Sequence, residues 1–480
     1  MKLKTSHIMR KIVAITVILV LTLGTLSGCK KQTNTTTTVK KDDVELTYYR
    51  LFDDEDIFEP LIREYESENS HVTINYRKFT DPEQYLDLII NELAEGEGPD
   101  IFSMHNTWFT QHRKKLTPIP NTLITTEDFN NVFVSVANDD LVSPDSTGTD
   151  QIYGLPMYVD TLALYYNQDH FEDAVPSRGK PASTWEELQE DVYKLTKADN
   201  SFERFEVAGI AMGRADNILR AIDILYLLMI QFGTDFYDEA FTEATFADAA
   251  GAITGSLSHP GVDALSFFTQ FALPSSKYYT WNAYLADDDS AEKEVKTFAR
   301  GKASMIIGYS YLYEQILDEI AELEKKGQDT INSSTIQIAT IPQVEDPETS
   351  TSKRDTYASY FAETVARTSE NSEEAWKFLS FLVEKENLEH YHTETNRPTS
   401  RRDMIEEQAE DATYGIFAEQ IGYAESFPIA DADAYEEVFA EAIEAVLNTE
   451  DPDDVMKDAQ EKVNLYMPSE GFYPVTVSTE

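Results

Sequence analysis

An α/β fold divided into two lobes is predicted by three features of the sequence. The chain has 480 residues, too many for one ordinary domain and suited to two or three. From residue 44, strand-like and helix-like segments alternate, as they do where a parallel sheet carries helices on its faces. A similar pattern begins again near residue 162, and no fixed-period repeat is present.

Val44 to Tyr49 alternates apolar and polar residues and reads as a strand. Asp56 to Glu68 places Ile57, Leu61 and Tyr65 at helical spacing, and His71 to Tyr76 alternates again. Asp81-Pro82 opens a second helix, with Asp as N-cap and Pro at the first helical position. Gly96 and Gly98 stop it, and Ile101 to Met104 follows as a short apolar strand. Leu162 to Tyr166 has the composition of a buried strand. Thr184-Trp-Glu-Glu187 is a capping box, after which Leu188, Val192 and Leu195 share one helical face. Ser372 to Tyr391, Ala434 to Leu447, and Val455 to Tyr466 behind Asp451-Pro452 make the last third helical.

The N-terminus carries an address. Lys2, Lys4, Arg10 and Lys11 precede an apolar or small stretch, Ile12 to Leu26, that is too short to span a bilayer comfortably and has the form of a secretory signal. It ends in Leu26-Ser27-Gly28-Cys29, which resembles the bacterial lipobox, and Cys29 is the chain's single cysteine. We therefore expect a signal peptide at 1–28, lipidation at Cys29 and a Thr-rich tether over 29–43, with the body held at a membrane on its outer side. Loss of four basic residues would take the net charge from -48 to -52. The most apolar later segment, Ile218 to Phe232, contains Arg220 and Asp223 and has the length of a core helix.

With 87 Asp and Glu against 39 Lys and Arg, the surface repels phosphate backbones, and no basic stripe offsets this. Nucleic-acid binding is excluded on that ground. So many carboxylates make any acidic pair uninformative about glycoside hydrolysis. No G-x-S-x-G, H-E-x-x-H, Walker loop or C-x-x-C occurs. His105 with His112 and His390 with His392 lack partners for a metal site. Asp145 to Asp150 and Asp287 to Asp289 lack the terminal glutamate of a calcium loop. No cofactor or metal is expected.

Four segments carry a family resemblance. Gly96-Glu-Gly-Pro-Asp-Ile101, Tyr153-Gly-Leu-Pro-Met-Tyr-Val-Asp-Thr-Leu-Ala-Leu-Tyr-Tyr-Asn167, Pro181-Ala-Ser-Thr-Trp-Glu-Glu-Leu188 and Phe298-Ala-Arg-Gly-Lys-Ala-Ser-Met-Ile-Ile-Gly308 occur in that order. Together they resemble the extracellular solute-binding proteins of ABC sugar importers, the class typified by maltose-binding protein. The resemblance spans roughly residues 44–467. It implies a two-lobed periplasmic-binding-protein-like fold, each lobe a mainly parallel sheet flanked by helices, joined by hinge strands. Lobe one is expected at 44–157 plus 343–395, lobe two at 158–342 plus 396–467, and a tail at 468–480. It also implies a monomeric, membrane-anchored receptor that performs no chemistry. Such a receptor captures a carbohydrate between its lobes and delivers it to an importer's permease. A non-sugar solute (polyamine, phosphate ester or peptide) and an extracellular polysaccharide-active enzyme remain as alternatives.

Sugars need planar aromatics for their C–H faces and paired polar groups for their hydroxyls. By the resemblance, Asp160 falls where the family places an acidic contact, and Asn106 and Trp108 where first-lobe contacts lie. Tyr309 and Tyr311 fall where a stacking aromatic, usually Trp, is found, and one of the two is expected to line the cleft. Asp53 follows the first strand, Trp281 sits in an aromatic cluster of the second lobe, and Arg397 lies in a late segment that often reaches the ligand.

Overall fold

The computed structural model describes residues 42–199, 205–249, 258–285, 293–469 and 471–472. The signal segment, Cys29, the Thr-rich run and Asp287 to Asp289 lie outside the described residues. The strand Val44–Leu51 buries Leu46, Tyr48, Arg50 and Leu51, and pairs in parallel with both Val72–Phe79 and Ile101–His105. Phe361–Val365, antiparallel to Ile101–His105, and then Leu155–Pro156, antiparallel to Phe361–Val365, complete a five-stranded sheet. The helix Glu55–Glu68 covers it with Phe58, Leu61, Ile62 and Tyr65. The helix Pro82–Glu95 adds Tyr85, Ile89 and Leu93, capped by Asp81, whose carboxylate accepts from the Gln84 N–H. Gly96, at φ +80°, closes that helix in the left-handed conformation that glycine adopts without strain.

The second sheet is centred on Ala163–Asn167, flanked by Met305–Gly308 and Ile336–Ala339. Both flanking strands run antiparallel to the centre, where a mainly parallel sheet is expected. The reason is directional. The central strand leaves the hinge, whereas its two neighbours run back toward it, with Gly308 opposite Ala163 and Ala339 opposite Leu164. Parallel bridges appear outside these strands, where Ala208 pairs with Ala303 and Thr184 with Gln343. Trp185–Leu195 packs here behind a Thr184 cap that receives the Glu187 N–H. Ala221–Gln231 is buried on nearly every side.

Two hydrophobic cores result. The first draws on residues 46–159 and 358–404 together with Ile421 and Ala424. The second draws on 162–357, Phe417 and 429–472. Among the described residues, three strands lie where the chain passes between the cores, Asp160–Thr161, Thr356–Ser359 and Ala424–Glu425, and they form a small sheet of their own. The crossings expected at 343 and 396 therefore come later. Gln343 is still tied to the second lobe by backbone bonds to Ser183 and Trp185, while Ser400 bonds Val134 and Pro156 of the first. The helix expected over 372–391 is two helices, Ser372–Leu382 and Lys385–Thr395. The Phe381 and Val383 carbonyls near the break accept from Asn387 and Arg401 side chains, which satisfies the helix end where it turns. No helix among the described residues is long and apolar enough to cross a membrane.

Candidate ligand-binding cleft

Strand ends from both lobes converge on one cavity of about 750 Å³. Ligands of open α/β sheets bind outside the carboxyl ends of strands, and here Ile101–His105 and Met305–Gly308 both end at this cavity. On the first-lobe side, His105, Trp108 and Phe361 form an aromatic wall. The His105 ring lies 4.8 Å from that of Phe361, and Trp108 meets Phe361 edge-on at 5.6 Å. Both His105 nitrogens are engaged, with Thr107 Oγ1 at 2.6 Å and Ser359 Oγ at 2.9 Å. Burial, with a smaller push from Arg220, takes its pKa down to about 3 and keeps the ring neutral.

The second-lobe side is polar. The Arg220 guanidinium lies 5.6 Å from the ring centre of Tyr309 and 5.7 Å from that of Tyr311. The Tyr309 hydroxyl donates to Asp223 at 2.9 Å, and Arg220 stands 3.9 Å from the same carboxylate. Burial raises the Asp223 pKa against the pull of Arg220. Three polar atoms in this group are buried without a well-formed protein hydrogen bond: Arg220 Nε, the Tyr311 hydroxyl and Gln315 Oε1. Such orphans are rare in native structures, and each one needs a partner from outside the protein or costs stability.

Asp160 lies between the walls on the first crossing strand. Its carboxylate accepts from Ser310 N (3.1 Å), Ser310 Oγ (2.6 Å) and Thr161 N (2.9 Å), and so fixes the segment carrying Tyr309 and Tyr311. Burial pushes its pKa up to about 6, with the Ser310 and Thr161 hydrogen bonds opposing. Arg397 stacks 4.3 Å from the Tyr158 ring centre and is held by Asp53 Oδ1 at 2.9 Å and the Tyr391 hydroxyl at 3.0 Å. Burial pushes Asp53 up, but Arg397 and Arg50 overcome it and hold the carboxyl below its usual range.

Of the residues singled out in the sequence, Asp160, Trp108, Tyr309, Tyr311 and Arg397 line the cavity. Three others are placed differently. Trp281 is wholly buried in the second core and donates its indole N–H to Asn217 at 2.8 Å, so its cluster is packing and not a cleft wall. Asn106 ties the end of its strand to Asp140 at 3.2 Å and to the Tyr360 N–H at 3.3 Å. Asp53 reaches the cleft only through Arg397. Arg220 and Asp223, not among the residues singled out in the sequence, also line the cavity, and two charges inside the apolar run Ile218 to Phe232 are the signal that marks them. Tyr357 and Phe361 carry no such signal; strand register alone brings them in. The cavity also gathers Glu83 and Asp87 from one lobe and Asp433 and Glu436 from the other. Burial, then Asp223, raises the Glu436 pKa. No cluster of His, Cys, Asp or Glu among the described residues could hold a metal ion.

The family model for bacterial extracellular solute-binding proteins matches residues 60–449. This chain belongs to that family. A Brucella abortus (strain 2308) relative, provisionally named as a binding protein, is 24% identical over 426 residues, which is 85% of this chain and 89% of the relative. An ABC transporter solute-binding protein of Thermotoga lettingae TMO, bound with α-D-tagatose, superposes at TM-score 0.64 and 21% identity, covering 88% of this chain and 100% of that one. An ABC substrate-binding protein of Listeria monocytogenes, in complex with cycloalternan, gives 0.65 and 19%, covering 88% and 99%. A cyclic α-maltosyl-1,6-maltose binding protein from Arthrobacter globiformis gives 0.66 and 17%, again covering 88% and 99%. At these identities the likeness is one of fold, and the fold is the two-lobed one of extracellular solute-binding proteins.

Proposed function

We propose that this solute-binding protein captures a carbohydrate, an oligosaccharide, between its lobes and delivers it to the permease of an ABC importer. The observation that carries the reading is the lining of the cleft. Nine of its 27 residues are Phe, Trp or Tyr, against 11% of the chain, so flat apolar faces are concentrated where a ligand would lie. Between them stand the Arg220–Asp223 pair and the orphaned atoms of Tyr311 and Gln315, which offer a donor, an acceptor and a hydroxyl to a polyol. The volume lies well inside the range of pockets that bury drug-sized ligands. Two of the solved relatives named above carry a saccharide, tagatose or cycloalternan, and the third is named for binding one. Capture needs the lobes to close on the crossing strands, a hinge motion with no covalent step.

The lipid anchor at Cys29 completes this reading. Cys29→Ala should move the protein from the membrane fraction to the soluble fraction outside the cell; unchanged membrane retention would remove the anchor. A second reading is a cationic solute such as a polyamine, because six carboxylates line the cleft against two arginines.

A thermal-shift screen of the purified protein separates these readings. Maltotetraose, cycloalternan, mannobiose, single sugars and polyamines would each be added in excess. A ligand at 100 times its Kd adds about 2.7 kcal/mol, a rise of a few degrees. A saccharide hit recovered chemically intact supports the receptor, a polyamine hit moves the substrate class, and a cleaved saccharide restores the enzyme.

A further inference from the structure

Phe52 follows the strand Val44–Leu51 with φ at +70°, a backbone that is a rarity for a bulky side chain and costs it energy. The Asp53 N–H donates to the Leu51 carbonyl at 2.9 Å, closing a γ-turn of the positive-φ form, which is the strained one. The turn is held from every side. The Phe52 N–H donates to the Phe79 carbonyl at 2.7 Å, the Tyr76 hydroxyl donates to the Asp53 carbonyl at 2.8 Å, and the Asp53 side chain is locked between two arginines. Glycine would make this turn at no steric cost.

The side chain is equally out of place. Phe52 is 42% exposed, a large apolar ring left partly in water, yet it lines the cleft. Its ring meets the edge of Phe361 at 6.1 Å and so extends the aromatic wall of His105, Trp108 and Phe361. Leu219, on the opposite lobe, is 41% exposed and lines the same cavity, whereas Tyr309 and Asp160 are only 2% and 3% exposed. Phe52 and Leu219 thus mark the mouth. A strained backbone and an exposed ring coincide in one residue, and a ligand lying on the ring would take its apolar face out of water.

We propose that Phe52 is the outer stacking platform of the cleft, receiving the C–H face of a sugar unit near the mouth and so favouring an oligosaccharide over a single sugar. This rests on the carbohydrate reading above. The test is titration calorimetry of wild type, Phe52→Gly and Phe52→Tyr with maltotetraose, cycloalternan and mannobiose, and with glucose and mannose as single rings. Phe52→Gly should weaken the oligosaccharide bound by wild type about tenfold and the single sugar less than twofold, and Phe52→Tyr should restore wild-type affinity. The melting temperature of unliganded Phe52→Gly should hold or rise, because the turn is relieved. Oligosaccharide binding that survives in Phe52→Gly overturns the proposal alone. A fall of several degrees in its unliganded melting temperature also overturns it, by making Phe52 a packing residue. Wild type that binds none of the five sugars removes the carbohydrate reading and this proposal with it.

Discussion

Arg50, Asp53 and Glu363 lie behind the first-lobe wall of the cleft and hold Arg397, which lines it, whereas Arg220, Asp223, Tyr311 and Gln315 make up the second wall. The two groups use similar chemistry and differ in how far it is satisfied. In the first, Arg50 bonds Asp53, Glu363, Tyr48 and Tyr391, and the Tyr48 hydroxyl returns a bond to Glu363 at 2.8 Å. Two cations meet two anions, and Arg50 and Glu363 are only 1% and 0% exposed. In the second, a cation stands 3.9 Å from its anion, and Arg220 Nε, the Tyr311 hydroxyl and Gln315 Oε1 are buried without a well-formed hydrogen bond. A network that closes on itself holds a structure. One that leaves donors and acceptors open, at a cavity, has work left for a ligand.

Breaking each network should therefore give opposite results. Arg50→Ala strands Glu363 and leaves Asp53 with one arginine, and loss of one partner from a buried pair costs about 3–5 kcal/mol. Denaturant unfolding at neutral pH should show that loss, and a stability within 1 kcal/mol of wild type would refute the closed-network view. Tyr311→Phe removes a buried hydroxyl that makes no well-formed hydrogen bond. Because an unsatisfied buried hydroxyl costs about 1–3 kcal/mol, the unliganded variant should be as stable as wild type or more so, while affinity for the bound saccharide falls about tenfold. If stability falls and affinity holds, the second cluster is structural as well.

The same contrast explains what the sequence made legible. Caps and breakers act within a few residues, so Asp81, Thr184, Asp451 and Gly96 announce their helix ends directly. Trp108 is legible because a turn motif delivers it to the end of a strand. Trp281 misleads because an aromatic cluster reads alike whether it faces a cleft or a core; the indole bond to Asn217 decides it. Phe361 is brought to Trp108 by a strand pairing across more than two hundred residues, with Phe361 opposite His105, and no local pattern encodes that register. The second-lobe sheet is misread for a similar reason, since strand direction depends on where the chain crosses the hinge. Phe52 is the extreme case: its unusual feature is a backbone angle, invisible in the residue type.

The smallest expected effect is in pH dependence, where the cleft contains opposing groups. Asp160 is raised by burial from the ordinary carboxylate value to about 6. Between about pH 4 and 6 the folded chain therefore holds a proton that the unfolded chain releases, and Asp160 favours folding more as the pH falls. His105 is lowered by burial to about 3. Between about pH 3 and 6.5 the unfolded chain binds the proton instead, so His105 costs stability as the pH falls. The two slopes oppose each other in one window. Removing Asp160 titration with Asp160→Asn should steepen the loss of stability between pH 7 and pH 4, and His105→Gln should make it shallower. Chemical unfolding of the three proteins across that range reads both signs. Parallel curves would mean that neither group changes its protonation on folding, and the buried placement of both at the hinge end of the cleft would have to be redrawn.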